Sequence, residues 1–449
     1  MSGDDFELGP TDRLGTDAVQ ACSELIRFDT SNFGGGDARG ERAAAEWVAA
    51  ELAAAGYAPE IVEAAPGRTS VVVRITGSDT HLPAVLVHGH LDVVPAVAED
   101  WSFDPFGGEI RDGAVWGRGA LDMKGAVATM LVVAAGLSRD GAAPARDVVL
   151  AFVADEEDTG RLGAGYLVAE RPELFEGVTT AIGESGAVLQ RLPGGGHLYA
   201  VATAERGTAR LTITARGPAG HGSRPLADNA ITALAATITR LAAIEWPVTV
   251  IPAVATLLDG LEAHLGVRVD PSDPESVLVL GEAARLVSQT LTNTLSPTML
   301  SAGYKANVIP SEAHAVIDGR VLPECEKEFF DAVDAVLGAN VSRRVDGWAA
   351  PVSAPSTNGE LAAFAAALRK HDPEALVLPY CMAGGTDAKW WSQLGIACYG
   401  FTPGRTDPGF EGGRGVHGVD EHVPVDSLAF GARVLDTYLR SPPPDAVGR

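Results

Sequence analysis

Residues 84–94 read AVLVHGHLDVV, a short apolar run that breaks off into two histidines and an aspartate. The pattern returns at 147–160, DVVLAFVADEEDTG, and at 179–185, TTAIGES, where apolar runs again end in acids. With SVVVRI at 70–75 these are near-continuous β-branched strands, and the segment between two of them, Lys124 to Leu137, reads as a helix. Strands apolar on both sides must be covered on both faces, so the alternation predicts an α/β domain with a mostly parallel sheet between helices. In such sheets ligands bind at the carboxyl ends of the strands. HGHLD, ADEED and GES all fall there.

Outward from this centre, Val19, Cys22, Leu25 and Ile26 recur at helical spacing, SNFGGGDARG breaks the chain, and an Ala-rich helix is predicted from about Glu41 to Ala55. The pattern changes at residue 206. GTARLTITARG, TMLSAGYKANVIP, EAHAVIDGRVLP and NVSRRVDGW read as strands, with helices at Asn229–Ile244 and CEKEFFDAVDAVLG. That order, βαββαβ, is ferredoxin-like. An insertion from about Trp246 to Asn293 reads as extra helix and loop, and after Pro351 the alternation of helix and strand resumes. The predicted organisation is a first domain over 1–205 and 350–449, interrupted by a second over 206–349. A chain of 449 residues is too long for one ordinary core.

Lys and Arg total 34 against 59 Asp and Glu, a net charge of -25 that repels nucleic acid and anionic lipid, so neither is an expected partner. No apolar run approaches the roughly 20 residues of a bilayer crossing. The N-terminus, MSGDDFELGPTDR, is acidic and has no basic region followed by an apolar stretch, so the expected location is cytoplasmic. Cys22, Cys325, Cys381 and Cys398 are scattered, without a C-x-x-C pair, and buried free thiols are expected. Any metal must then be held by His and carboxylate, as suits zinc, manganese or cobalt.

His90 and Asp92 lie two apart, so on a strand end their side chains leave from one face. A ligating imidazole donates its second ring N–H to an acceptor, a role open to Asp92. Taken alone, His-x-Asp is more often a satisfied buried histidine. Glu156 and Glu157 are adjacent after a strand, where alternation sends neighbours in different directions, one toward metal and the other toward substrate. By itself such a pair is more often solvated surface. Asp122 follows the glycine-rich turn of GRGALDMKG, which lacks the third glycine of a dinucleotide loop. GHGS around Ser223 lacks the G-x-S-x-G elbow of a serine nucleophile.

Taken in order, HGHLDVVP, GRGALDMKG, ADEEDTG, GES and GVHGVDE resemble the aminoacylase, acetylornithine deacetylase and succinyl-diaminopimelate desuccinylase family of two-zinc hydrolases, over nearly the whole chain. The resemblance implies a zinc-peptidase-like catalytic domain interrupted by a ferredoxin-like lid and dimerisation domain. It also implies two Zn2+ per subunit, with Co2+ or Mn2+ as substitutes. His90 and Glu184 would hold one ion, Glu157 and His417 the other, and Asp122, followed by a cis peptide, would bridge them. Asp92 would orient His90, and Glu156 would be the general base.

In the lid, His221 of GPAGHGSRP matches the family histidine that reaches the neighbouring subunit's active site and steadies the oxyanion. Asn307 of ANVIP and Arg320 of IDGR match the pair that contacts the substrate and its carboxylate. Gly384, Gly385, Thr386 and Asp387 of AGGTDA match the loop lining the pocket. The implied reaction is hydrolysis of an amide or peptide bond in a small carboxylate-bearing substrate, an N-acyl amino acid or dipeptide, by a homodimer. Desuccinylase and carboxypeptidase activities fit the same residues. Family members with an enlarged lid are monomers, and residues 246–293 leave that arrangement open. A non-catalytic binding protein on this fold would have lost ligands, yet all five positions are filled. A two-metal phosphoester hydrolase would need a basic cluster that the motifs lack.

Overall fold

A computed structural model describes residues 12–405 and 415–443; the acidic stretch up to Thr11 lies outside them. The chain divides into two compact units, one comprising Met1–Thr203, Ala354–Pro379 and Thr386–Arg449, the other Ala204–Ser353 and Tyr380–Gly385. The first unit begins with helices α1 (Arg13–Ile26) and α2 (Arg42–Ala54). Asp12 caps α1 by accepting the Gly15 N–H at 3.0 Å. Strands β1 (Glu60–Ala65), β2 (Arg68–Ile75) and β3 (Ala84–His90) follow, then α3 (Lys124–Arg139), β4 (Val148–Val153), β5 (Val178–Gly183), β6 (Leu189–Arg191) and β7 (His197–Glu205).

The second unit contains β8 (Gly207–Arg216), α4 (Ala230–Ala242), β9 (Thr294–Ala302), β10 (Glu312–Val321), α5 (Glu326–Ala335) and β11 (Val341–Ala349). The chain then returns through α6 (Gly359–His371), β12 (Ala375–Met382), β13 (Ala397–Gly400) and α7 (Val425–Arg440).

The large sheet has the order β6-β7-β13-β5-β3-β4-β2-β1, with β12 also on β7. Its centre, β13-β5-β3-β4, is parallel. All residues of β3 and β4 are buried, because helices cover both faces of that centre. The flanks run antiparallel: β1 with β2, β2 with β4, and β7 with β6 and β13. SVVVRI therefore lies antiparallel to its neighbour. Only residues 76–83 separate β2 from β3, too short a link for the crossover that a parallel connection requires. Helix α3 packs against α1 and α7, so the first and last helices of the described chain meet on one layer.

In the second unit the four strands β9-β10-β8-β11 are antiparallel throughout, and the order of elements is βαββαβ. Burial alternates along β8 and β10. Ala209, Leu211, Ile213, Ala315 and Ile317 thus face the helices, packing with Leu234, Phe329 and Val333, while the polar residues of the same strands share the opposite face. The insertion forms helix Pro252–Leu265, a loop, and then helices Pro274–Val277 and Ala284–Ser288 joined through the 3-10 helix Leu278–Ala283. Among the described residues no helix is long and apolar enough to cross a membrane.

Candidate active site

The carboxyl ends of β4, β3 and β5 lie side by side, and four of the acid and imidazole groups come from them. His90 closes β3 opposite Val153, Glu156 and Glu157 follow β4, and Glu184 follows β5. Asp122 enters from the turn before α3, across a cis Asp122–Met123 peptide, and His417 from the described segment before α7.

These groups converge. His90 Nε2 lies 3.0 Å from Asp122 Oδ1 and 3.3 Å from Glu184 Oε2. His417 Nε2 lies 3.2 Å from Asp122 Oδ2 and 3.3 Å from Glu157 Oε2. Asp122 thus turns one oxygen to each imidazole. Glu156 places a carboxylate oxygen within 4.8 Å of the donor atoms of His90 and Glu184, and its Oε1 is 3.5 Å from Lys389 Nζ.

The donor chemistry fits divalent cations. His90 Nδ1 donates to the main-chain carbonyl of Asp92 at 2.9 Å, which leaves the lone pair of neutral Nε2 facing carboxylate oxygens. A cation between them turns that repulsion into ligation. Glu157 Oε1 is also buried without a hydrogen-bond partner, a ready ligand atom. The crowded acids and imidazoles also shift one another's pKa values. Burial opposes charge on His90, but hydrogen bonds to Asp122 and Glu184 outweigh it and raise its pKa well above the ordinary histidine value. Bonds to Asp122 and Glu157 push His417 up to about 10. Burial, then the Glu156 and Asp122 charges, raise Glu184 well above the carboxylate range, whereas His417 and His90 overcome the burial of Asp122 and hold it below that range. Glu156 is pushed up to about 7, chiefly by burial.

Asp92 does not act on His90 through its carboxylate. The nearer oxygen is 3.7 Å from His90 Nδ1, and the main-chain carbonyl takes that bond instead. The carboxylate accepts the N–H groups of Glu156 and Glu157, each at 3.1 Å, and the Asn32 side-chain amide at 2.9 Å. Past the end of β4 those two amides have left the strand ladder, and Asp92 fixes the backbone that carries both glutamates. Asp155, at φ 71, makes the turn there and meets Arg68 at 2.9 Å. Arg68 also faces Glu41 at 2.8 Å and Asp92 at 3.9 Å, so three buried carboxylates share one guanidinium.

Glu421, which the sequence reading passed over inside GVHGVDE, is fully buried. Its Oε1 accepts the Leu121 and Asp122 N–H groups at 2.8 and 3.2 Å, and its Oε2 accepts from Arg118 Nη1 at 2.6 Å. Arg118 in turn donates to the His417 carbonyl at 3.3 Å. One carboxylate thereby fixes the loops that carry Asp122 and His417. Lys389 and Asn32 were missed as well; neither stands in a motif that announces it.

In the second unit His221 pairs with Val308, and the Gly222 N–H donates to the Asn307 carbonyl at 2.9 Å, so His221 and Asn307 are neighbours. Both are exposed, and His221 Nδ1 is engaged by Ser223 Oγ at 2.8 Å. Arg320 is bound at Nε and Nη2 by Asp318, at 2.7 and 3.2 Å. Gly384 and Gly385 belong to this unit; Thr386 and Asp387 belong to the first and are buried.

A parallel-centred α/β sheet that gathers three carboxylates and two imidazoles at its strand ends defines a metallohydrolase. The chain belongs to Peptidase family M20/M25/M40, whose pattern matches residues 86–441, and like that family it acts on amide bonds. It is 29% identical over 394 residues to a probable carboxypeptidase S-like 2 of Dictyostelium discoideum, covering 82% of this chain and 73% of that one. It is 29% identical over 354 residues to aminoacylase-1 of Sus scrofa, covering 76% and 77%. The fold is similar to that of an M20 family metallo-carboxypeptidase from Sulfolobus solfataricus, with a TM-score of 0.71 at 18% identity over 94% of this chain and 98% of that one.

Proposed function

We propose that this chain is a two-zinc deacylase or dipeptidase acting on N-acyl amino acids or dipeptides that carry a free carboxylate. The observation that carries the reading is Asp122, whose two oxygens face different imidazoles, as a carboxylate bridging two cations requires. His90 and Glu184 would hold one ion, and Glu157 and His417 the other. Nitrogen and carboxylate donors suit Zn2+, and Co2+ or Mn2+ less specifically. Bound there, the ions supply Lewis-acid polarisation of the scissile carbonyl and acidify a water molecule.

Glu156 takes a proton from the attacking water and delivers it to the leaving nitrogen as the C–N bond breaks. A pKa near 7 lets one carboxyl group serve both steps. Asp92 keeps Glu156 and Glu157 in register. His221, with Nδ1 taken by Ser223, would offer Nε2 to the oxyanion in the neighbouring subunit's active site, and Asn307, Arg320, Gly385 and Thr386 would contact the substrate. The aminoacylase and carboxypeptidase names of similar proteins support an acyl or peptide substrate. We assign the protein to the cytoplasm as a homodimer formed through its second unit.

The test is reconstitution. Metal-free protein receives zinc, cobalt or manganese and is offered N-acetyl and N-succinyl amino acids beside dipeptides. Two ions per chain and metal-dependent release of a free amine are expected; protein that holds two ions but cleaves none of these compounds would overturn the substrate assignment.

A further inference from the structure

Arg68 opens β2 beside the end of β4, where the two strands still run together: Val71 faces Phe152, and Ser70 Oγ accepts the Ala154 N–H at 3.2 Å. Its side chain is buried, as are the three acids around it. Nη2 lies 2.8 Å from Glu41 Oε1, 2.9 Å from Asp155 Oδ1 and 3.9 Å from Asp92 Oδ2. Glu41 stands at the start of α2 without capping it with its side chain. Its main-chain N–H donates to the Gly67 carbonyl at 2.9 Å, so helix and strand are joined where this arginine begins.

The other two acids hold the segment that carries Glu156 and Glu157. Asp92 accepts the N–H groups of both, each at 3.1 Å. Asp155 Oδ2 accepts the Leu162 N–H at 2.9 Å and the Thr159 hydroxyl at 3.3 Å, and the Asp155 carbonyl accepts the Gly160 N–H at 2.6 Å. With φ 71, Asp155 holds a backbone conformation that its surroundings must keep in place. Residues 155–162 thus curl around one carboxylate while a second pins their start, and Arg68 is the cation common to both. Without it, three carboxylates withdrawn from water would repel one another across the same space. The turn would shift, and both glutamates with it. His90 and Glu184 stand at the ends of β3 and β5 and would be displaced less.

We propose that Arg68 is a positioning residue for the reaction: by holding Asp92 and Asp155 it sets the turn so that Glu157 reaches its ion and Glu156 the substrate. This rests on the two-ion reading and adds to it that one ion depends on an arginine outside the ligand set.

The assay titrates metal-free protein with Zn2+ by calorimetry and reads kcat and KM on the best N-acyl amino acid or dipeptide. His417→Ala identifies the binding step that belongs to Glu157 and His417. Arg68→Met should weaken that step about 10- to 100-fold, the usual effect of removing a partner that orients a ligand, and the other step less than about 3-fold. It should lower kcat and leave KM within about 2-fold of wild type. Arg68→Lys, which keeps the charge but not the fork, should fall between. Asp155→Asn, a residue that tolerates positive φ, should match Arg68→Met, and the double variant should be no worse than either, because both cut one link. Arg146→Met, which breaks the buried pair with Glu360 at the opposite end of β4, should lower the thermal melt without changing the ratio of the two affinities. Equal weakening of both steps, a wild-type ratio in Arg68→Met, or a loss confined to KM would overturn the assignment. Wild type that holds fewer than two ions defeats the two-ion reading, and hydrogen exchange of residues 154–162 in metal-free protein then decides for or against Arg68. Arg68→Met should speed exchange at Glu156 and Glu157 about 10-fold or more, and unchanged exchange would dismiss the role. Should Arg68→Met fail to fold, as its melt would reveal, Asp155→Asn carries the decision by the same readouts.

Discussion

Replacing Glu156 with Gln removes the proposed base with little change of shape. Burial pushes the carboxyl group up to about 7, and adjacent cations would favour its carboxylate form, so it can take a proton near neutral pH, whereas the amide of Gln takes none. Among the described residues its ion-pair partner is Lys389, whose Nζ lies 3.5 Å from Oε1, and the amide oxygen of Gln can still accept from that ammonium. A positioned general base contributes about 10²- to 10⁴-fold, equivalent to roughly 3–5 kcal/mol of barrier. Turnover of the best N-acyl amino acid or dipeptide should therefore fall by that factor, with two ions per chain retained by elemental analysis and an unchanged thermal melt. In wild type, activity requires the deprotonated form and declines as pH drops. The decline should centre at or below about 7, since adjacent cations favour the carboxylate. The Gln variant should lack that limb. A variant keeping more than a tenth of wild-type turnover, or showing the same acid limb, would refute the role given to Glu156.

Metal affinity should weaken as pH falls, because His90, Glu184 and His417, the last at about 10, all have raised pKa values and must surrender protons to the ions. Calorimetry in buffers of different ionisation enthalpy should record proton release at pH 7; none, with affinity independent of pH, would remove these groups from the ligand set. Glu41 is raised to about 8 by burial and then by Asp92, against Arg68. A raised folded pKa stabilises fully below the unfolded value of about 4.5, and that stability is lost as pH climbs through 8. At about 1.4 kcal/mol per pH unit between 4.5 and 8, the loss is on the order of 5 kcal/mol. Glu41→Gln should flatten the decline of Tm between pH 5 and 8, and parallel curves for the two proteins would contradict it.

Strand positions were legible because β3, β4 and β5 are apolar on both faces, a composition that leaves few alternatives. The antiparallel setting of β2 was not, since residue composition says nothing about the direction of a neighbour and the short 76–83 link had to be weighed instead. The grouping of His90, Asp122, Glu157, Glu184 and His417 was implied by the family resemblance that the five motifs carry. The work of Asp92 did not: its sequence position suggests an imidazole partner, but the freed amides of Glu156 and Glu157 compete for its oxygens and win. Glu421 and Arg68 act through folded proximity to residues about 300 and 90 positions away or fewer, and no local spacing encodes such contacts.

The tether from Glu421 to the Leu121 and Asp122 amides has a bearing on biosynthesis. When a ribosome has released only the first 400 residues, four of the five donors exist, but the loop carrying Asp122 still lacks its anchor and the second imidazole has yet to be made. On the ligand set proposed above, both positions can fill only after His417 and Glu421 have been made and have reached the Asp122 loop, so a fully loaded site would certify that distant segments of the chain have come together.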